Sequence, residues 1–478
     1  MAEPVVLGID LGTTATKVVA AGRDGRVYGL AEREYPLDTD AHGDATQDAD
    51  RVLAAARAAL AECAAGRDVV ALSFSAAMHT LLPLAADGRP LGPALSWADR
   101  RAAAVARAWR RDGLAADLHR ATGTPVHPMS PLVKLAWFAE HEPDLRARHW
   151  VGVKDYVLAA LTGRLVTEHS CASGTGLMNI HNLAWHEPSL DLAHVKPDQL
   201  PELLAPTAVL ALADADGDLP AGLPVVAGAG DGPLANLGTG AIRPGMAALS
   251  LGTSGALRAI RDTPGVDDRG RTFCYALADG LWVVGGAISN GGVVGAWAAD
   301  CFDQPVGDLL AEADKTDPAG VIALPYLLGE RAPWWDPDLT AVLIGLRREH
   351  GRAAITRAMV EGVGQQLALV ASALTAVDLT EIRATGGAFR SPIWGRVIAS
   401  ALNHDLSSTA DEGGSGLGAA LLGWHALGEL PTLADAANLI TPTDTIHPDP
   451  DLAARLAAQR PLIEQAHEAL SALLAGID

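Results

Sequence analysis

The chain has 478 residues, too many for one ordinary hydrophobic core, so two domains or slightly more are expected. Apolar residues make up 49% and charged residues are spread throughout, which excludes a disordered protein. A formal net charge of −21 excludes non-specific nucleic-acid binding, which needs a basic footprint, so any anionic ligand must meet local positive charge or a metal.

Residues 4–35 read as a β-meander, with strands ending at Ile9, running from Lys17 to Ala21 and from Val27 to Tyr35, separated by glycine turns that include Asp24-Gly25. The first turn, in "VLGIDLGTTATKVV", has the glycine, hydroxyls and lysine of a phosphate-holding loop, but Asp10 stands where a phosphate would approach and the spacing is not that of a P-loop. Residues 48–65 have helical periodicity, "VVALSFS" (69–75) is a buried strand, and a helix is expected from Asp99 to Leu118. This alternation predicts an α/β domain with a mixed sheet.

"GAGDGPLANLGTG" (228–240) contains G-x-G after an apolar strand, yet the third glycine position holds Pro233 and Asp231 would oppose a pyrophosphate, so a dinucleotide fold is rejected. Asp231, between glycines, suits either a general base beside a substrate hydroxyl or a helix N-cap, and the local sequence leaves both open. The chain starts afresh near 240–250, with a turn at Pro244-Gly245, a strand Met246–Leu251 and then "GTSG". "GIDLGTTAT" and "LSLGTSGAL" share Leu-Gly-Thr-hydroxyl after an apolar strand, two loops that could grip a polyphosphate from both sides or be ordinary hairpin turns. Further on, "IRATGGAF" (382–389) runs from a strand into a Gly-Gly turn and a helix, Ile393–Leu402. "EGGSGLGAALLGWHAL" (412–427) is a glycine loop opening another helix, and an amphipathic helix is expected over Asp451–Leu474.

The N-terminal "MAEPVV" lacks a signal-peptide pattern, and the longest apolar stretches are broken, as by Asn290 and the glycines in "LWVVGGAISNGGVVGAWAAD". Cys63, Cys171, Cys274 and Cys301 are isolated, which fits a reducing compartment and neither a zinc site nor a disulfide framework. A soluble cytoplasmic protein with no membrane partner is the expectation.

"MSPLVKLAWFAEH" (129–141) resembles, position by position, the first signature of the FGGY carbohydrate kinases, with Lys134, Trp137 and His141 in place. The glycine motifs above and "KDYVLAALTG" (154–163), "TGGAFRSPIWG" and "GLGAALLG" follow in that family's order over roughly residues 5–430. A second signature, around "AVLIGLRREHGRAAITRAMVEGV", departs only at Ala354, where a polar residue is usual.

The resemblance implies two actin-like (ribonuclease H-like) ATPase domains, 1–242 and 243–478, with ATP and Mg²⁺ in a central interdomain cleft. It implies transfer of a phosphoryl group to a sugar hydroxyl with Asp231 as general base. Thr13, Thr14 and Lys17 then form the first phosphate loop, Gly252, Thr253 and Ser254 the second, and Gly386 and Gly387 flank the adenine with Arg390 close by.

"SFSAAMHTLL", "SWADRR", "TGTPVHPMSP" and "GLMNIHNLAWHEPSL" resemble the gluconate-phosphorylating members, which makes Met78, His79, Trp97, Asp99 and Arg100 the expected substrate wall. Arg100 or His127 is expected to meet the substrate carboxylate, and Arg101 to face solvent on the following helix. A bare carboxylate about 6 Å from a phosphate charge is opposed by roughly 3 kcal/mol at an effective dielectric near 20, so Asp10 reads as a Mg²⁺ holder. A xylulose- or ribulose-type kinase and an actin-like ATPase without a sugar site are the rivals, and a homodimer is left open.

Overall fold

The computed structural model describes residues 3–41, 43–409 and 413–474. The opening meander consists of β1 (Pro4–Leu11), β2 (Ala15–Ala21) and β3 (Val27–Glu34), paired antiparallel. Its first turn is closed by the Gly12 N–H donating to the Ala15 carbonyl at 2.9 Å. Helix α1 (Ala49–Ala64) starts where the Asp48 carboxylate accepts the N–H groups of Asp50 and Arg51 at 3.0 and 3.2 Å. It returns the chain to β4 (Asp68–Ala76), parallel to β1.

The helix expected over Asp99–Leu118 is two helices, α2 (Ala103–Arg111) and α3 (Leu114–Thr122). The break falls at Asp112-Gly113, where Gly113 takes φ 82°, a left-handed conformation that ends the first helix. The FGGY-like first signature forms α4 (Pro131–His141), started by Pro131. β5 (Val209–Ala211) and β6 (Pro224–Gly230) complete the first sheet, in the order β5-β6-β4-β1-β2-β3. Asp231 opens α5 (Asp231–Gly238) directly from the end of β6.

The second sheet is made of β7 (Met246–Leu251), β8 (Gly255–Arg261), β9 (Phe273–Ala276), β10 (Trp282–Ile288), β11 (Glu381–Thr385), β12 (Leu406–Ser408) and β13 (Asp444–Ile446). Its order is β9-β10-β8-β7-β11-β12-β13. In the first sheet β3, β2 and β1 are mutually antiparallel and continue into parallel β4 and β6. In the second, β10, β8 and β7 are antiparallel and continue into parallel β11 and β12. The same five-strand core is therefore built twice, and the "LGTT" and "LGTS" turns occupy the same place in each copy. This is the doubled actin-like fold. Helix α6 (Arg352–Ala373) is buried along nearly its whole length, and Ala354 is one of its buried residues. Helix α7 (Pro392–Leu402) packs against it.

Helix α8 (Gly414–Ala426) departs from a simple division of the chain at residue 242. It comes from the second half of the sequence, yet packs on β1, β2 and β4 of the first sheet and on α5. The glycine loop expected to open it begins at Glu412, which lies outside the described residues. The packing is backbone against backbone. A Cβ on Gly8 would stand 1.9 Å from the Gly416 carbonyl oxygen, one on Gly238 2.1 Å from that of Gly414, and one on Gly418 2.0 Å from that of Leu234. The terminal helix α9 (Pro450–Leu474) covers the second half through Leu452, Leu456 and Ile463. No helix of the described residues is long and apolar enough to cross a membrane.

These contacts predict that Gly8→Ala lowers stability by about 2 kcal/mol or more, since overpacking against backbone cannot relax by rotamer change. Thermal melting should show a clear fall for Gly8→Ala and almost none for Gly92→Ala, where a Cβ meets nothing within 4 Å. Equal melting temperatures would remove the waist contact from its structural role.

Candidate active site

Register puts the polar residues of the first sheet in one line. Glu32, Lys17, Asp10 and Ser75 are direct partners across β3, β2, β1 and β4, so their side chains share a face. The Lys17 ammonium reaches Glu32 at 3.5 Å rather than the turn, and half of the side chain is exposed. Asp10 accepts the Ser75 hydroxyl on one oxygen and the Ser415 hydroxyl on the other, each at 2.7 Å. Ser415 belongs to α8, so the two halves of the sequence meet at this carboxylate. The adjoining turn is held by the Gln47 amide, which donates to the carbonyls of Gly12 and Thr13, and by the Tyr35 hydroxyl on that of Gly12. Thr14 is left exposed at its tip.

A cavity of about 320 Å³ lies between the two sheets. It gathers Met78, His79, Trp97, Asp231, Gly252, Thr253 and Ser254 from the expected set, and adds Arg258, Tyr275 and Arg331. Trp97 joins the first turn to this cavity, its indole N–H donating to the Thr13 hydroxyl at 2.9 Å. The second turn is packed from behind by Gly291 and Gly292, whose N–H groups donate to the carbonyls of Thr253 and Gly252. Gly386 and Gly387 lie at the end of β11, beside the end of β7, and outside the cavity. A Cβ on Gly386 would stand 2.3 Å from the Leu251 oxygen, and the Arg390 guanidinium lies over Gly387.

Asp231 reaches the cavity from the first residue of α5, with one oxygen accepting its neighbour Gly232 N–H at 2.7 Å. Burial, reinforced by the Asp10 charge, raises its pKa from 3.8 to about 6, against the opposing pull of Arg258. His79 sits at φ 67°, unusual for a side chain with a Cβ, and its Nδ1 is 2.6 Å from the Gly174 carbonyl. A carbonyl can only accept, so Nδ1 carries the proton. Burial pushes the ring down to about 3, so it stays neutral and Nε2 is an acceptor facing the Tyr275 hydroxyl at 3.4 Å. The strained loop is braced by the signature lysine. The buried Lys134 ammonium donates to the carbonyls of His79 and Ser96, at 2.8 and 2.7 Å, and so ties the two wall-forming loops together.

The structure bears on the surroundings of four of these residues. Asp99 is buried and its carboxylate accepts the Ala45 N–H at 3.0 Å and the Arg101 backbone and guanidinium, which shapes the loop. Arg101 does not face solvent, being clamped by Asp99 and Asp44 and laid over the Trp137 ring at 5.3 Å. Arg100 is held at the rim of an adjoining cavity by the Pro337 carbonyl at 2.8 Å and Asp338 at 3.7 Å. His127 lines that same second cavity, but burial and the neighbouring arginines push its pKa well below 6.5, which removes the positive charge a carboxylate would need.

The cations that do face Asp231 are Arg258, from β8, and Arg331. The Asp231 charge acts on both, joined at Arg331 by that of Glu330. Arg331 lies over the Trp97 ring at 5.0 Å and donates to the Ile288 carbonyl at 2.9 Å. Its position is set by buried Glu330, which accepts the N–H groups of Ser289 and Arg331. The signal available in the sequence for Arg258 was a lone cation inside the apolar strand "GALRAI", just after the second glycine turn.

Paired glycine turns on a doubled actin-like core, with a carboxylate-centred cavity between the sheets, define an actin-like phosphotransferase. Residues 5–238 match the N-terminal domain model of the FGGY family of carbohydrate kinases and residues 247–427 its C-terminal domain model. The chain therefore belongs to the FGGY family and is an ATP-dependent sugar kinase. It is 35% identical over 464 residues to a gluconokinase of Bacillus subtilis, covering 92% of this chain and 90% of that protein. A xylulose kinase of Escherichia coli is 30% identical over 438 residues, covering 87% and 89%. A gluconate kinase structure from Lactobacillus acidophilus matches with TM-score 0.94 and 32% identity, over 99% of this chain and all of that one. A ligand-bound xylulose kinase structure from the same organism has the same TM-score and identity, so overall shape does not separate the two sugars.

The raised Asp231 pKa has a consequence for folding. A proton held more tightly in the folded state stabilises it below about pH 4, and that stability is lost as pH rises through about 6. Asp231→Asn should therefore melt several degrees higher than the parent at about pH 8, with the two converging below about pH 4. A variant melting lower at about pH 8 would mean that the carboxylate is a structural cap.

Proposed function

We propose that this protein transfers the γ-phosphoryl group of ATP to the 6-hydroxyl of D-gluconate, with Asp231 as the general base. The observation that carries the sugar acid is the pair of half-buried arginines, Arg258 and Arg331, that face Asp231 in the cavity. Asp231 is the one cavity carboxylate acting on both guanidinium groups, so a substrate carboxylate would add a second counter-charge, which a neutral ketose does not offer. A gluconokinase among the nearer relatives supports the same reading.

In this reading the substrate lies between the loop bearing Met78 and His79, the Trp97 face, and the β8–β10 wall. His79 Nε2 accepts one hydroxyl and so fixes the polyol chain. Asp231 accepts the proton of the reacting hydroxyl and aims its oxygen, and a pKa near 6 leaves it ionised yet basic at neutral pH. Gly12–Thr14 and Gly252–Ser254 cradle the polyphosphate, with Lys17 beside the first turn. Gly386, Gly387 and Arg390 border the adenine. Gly252 has open space where a side chain would stand, which suits close approach of a phosphate. Asp10 fits a magnesium ion bound largely through water, since each oxygen carries one hydroxyl bond and keeps a free lone pair. When bound, that ion neutralises charge on the transferring group.

A coupled ADP-release assay over gluconate, xylulose, glycerol and ribulose should show the highest kcat/KM with gluconate. A preference for xylulose would defeat the sugar-acid reading. With gluconate, kcat/KM should fall as pH drops below about 6, and Asp231→Asn should lose about 10²–10⁴-fold in kcat. Near-native turnover by that variant would move the base elsewhere.

A further inference from the structure

We infer that Arg258 is the residue that reads the substrate's carboxylate and so decides between sugar acids and neutral polyols. The inference rests on the sugar-acid reading and names the residue responsible. Arg258 rises from β8 opposite Ala248 on one side and Gly285 on the other, so no bulky neighbour in that row competes for space. The adjoining floor of the cavity is Ala256 and Ala287. Among the described residues the only hydrogen bond of its side chain is a long one, Nη1 to the Ser250 hydroxyl at 3.4 Å. Its Nε passes beside Gly232, where an added Cβ would stand 3.4 Å away, and its remaining donors open into the cavity.

Arg331 is more committed, through its carbonyl bond to Ile288 and its seat on Trp97. Arg100 is engaged at the rim and His127 is uncharged. Arg258 is thus the cation with an unused planar fork, and a carboxylate matches that fork with two parallel N–H···O bonds. The other anion that could claim it is the transferring phosphoryl group. Position along the strand favours the sugar. Arg258 follows Ser254 by four residues, roughly 13 Å of extended chain, so its Cα is well removed from the phosphate turn.

Equilibrium binding without nucleotide separates the two anions, because no phosphoryl group is then present. Titration calorimetry with D-gluconate and with D-glucitol, its neutral counterpart, should show the parent enzyme preferring gluconate. Arg258→Gln should weaken gluconate by about 30-fold or more while narrowing its advantage over glucitol, and Arg258→Lys should fall between, as an ammonium keeps charge without the fork. Unchanged gluconate affinity in Arg258→Gln, or in Arg258→Lys if the first does not fold, would overturn the inference. If kcat alone fell, Arg258 would belong to the phosphoryl group. A parent enzyme with no preference for gluconate would instead overturn the sugar-acid reading, and this assignment with it.

Discussion

The site depends on one steric constraint, the approach of three backbones at the waist of the molecule. Strand β1, helix α5 and helix α8 lie so close that Gly8, Gly238, Gly416 and Gly418 leave no room for a Cβ. Asp10 lies near the end of β1, Asp231 at the start of α5 and Ser415 at the start of α8. Fixing the three elements fixes those groups relative to one another. Each sheet then presents its glycine turn from an equivalent hairpin.

Around that waist the cavity is built from groups whose charge states are set by burial. Asp231 is raised, His79 is held neutral, and Lys134 is lowered to about 7 while its ammonium donates to two carbonyls. The result is a pocket with a base, a neutral acceptor and two cations. Phosphoryl transfer depends mainly on such positioned charge, with little covalent chemistry for the protein to supply. Lys134 shows how a sequence signature can serve a site without entering it, by joining the His79 and Trp97 loops from behind.

Much of this was legible locally. The hairpins follow from apolar strands broken by glycine, and Asp231 stands out as an acid between glycines after a buried strand. The split of the expected Asp99–Leu118 helix was written in Asp112-Gly113, a stop signal overridden by the periodicity on either side. Asp99 and Arg101 misled for another reason. Both are polar residues beside a recognisable wall residue, and sequence does not say which of two neighbours turns inward. They turn towards each other, which satisfies both and takes Arg101 off the solvent face expected for it.

By itself the sequence determined the strand–turn units, the two glycine loops and the candidate base, because each depends on residues adjacent in the chain. Only the tertiary structure decided that the echo between "LGTT" and "LGTS" is a topological equivalence, since strand order across a sheet is set by long-range pairing. It alone brought Ser415 to Asp10 across 405 positions. The same holds for Arg258 and Arg331. Nothing local marks a strand arginine as inward-facing, and two cations around one carboxylate become visible only when both sheets close around the same cavity.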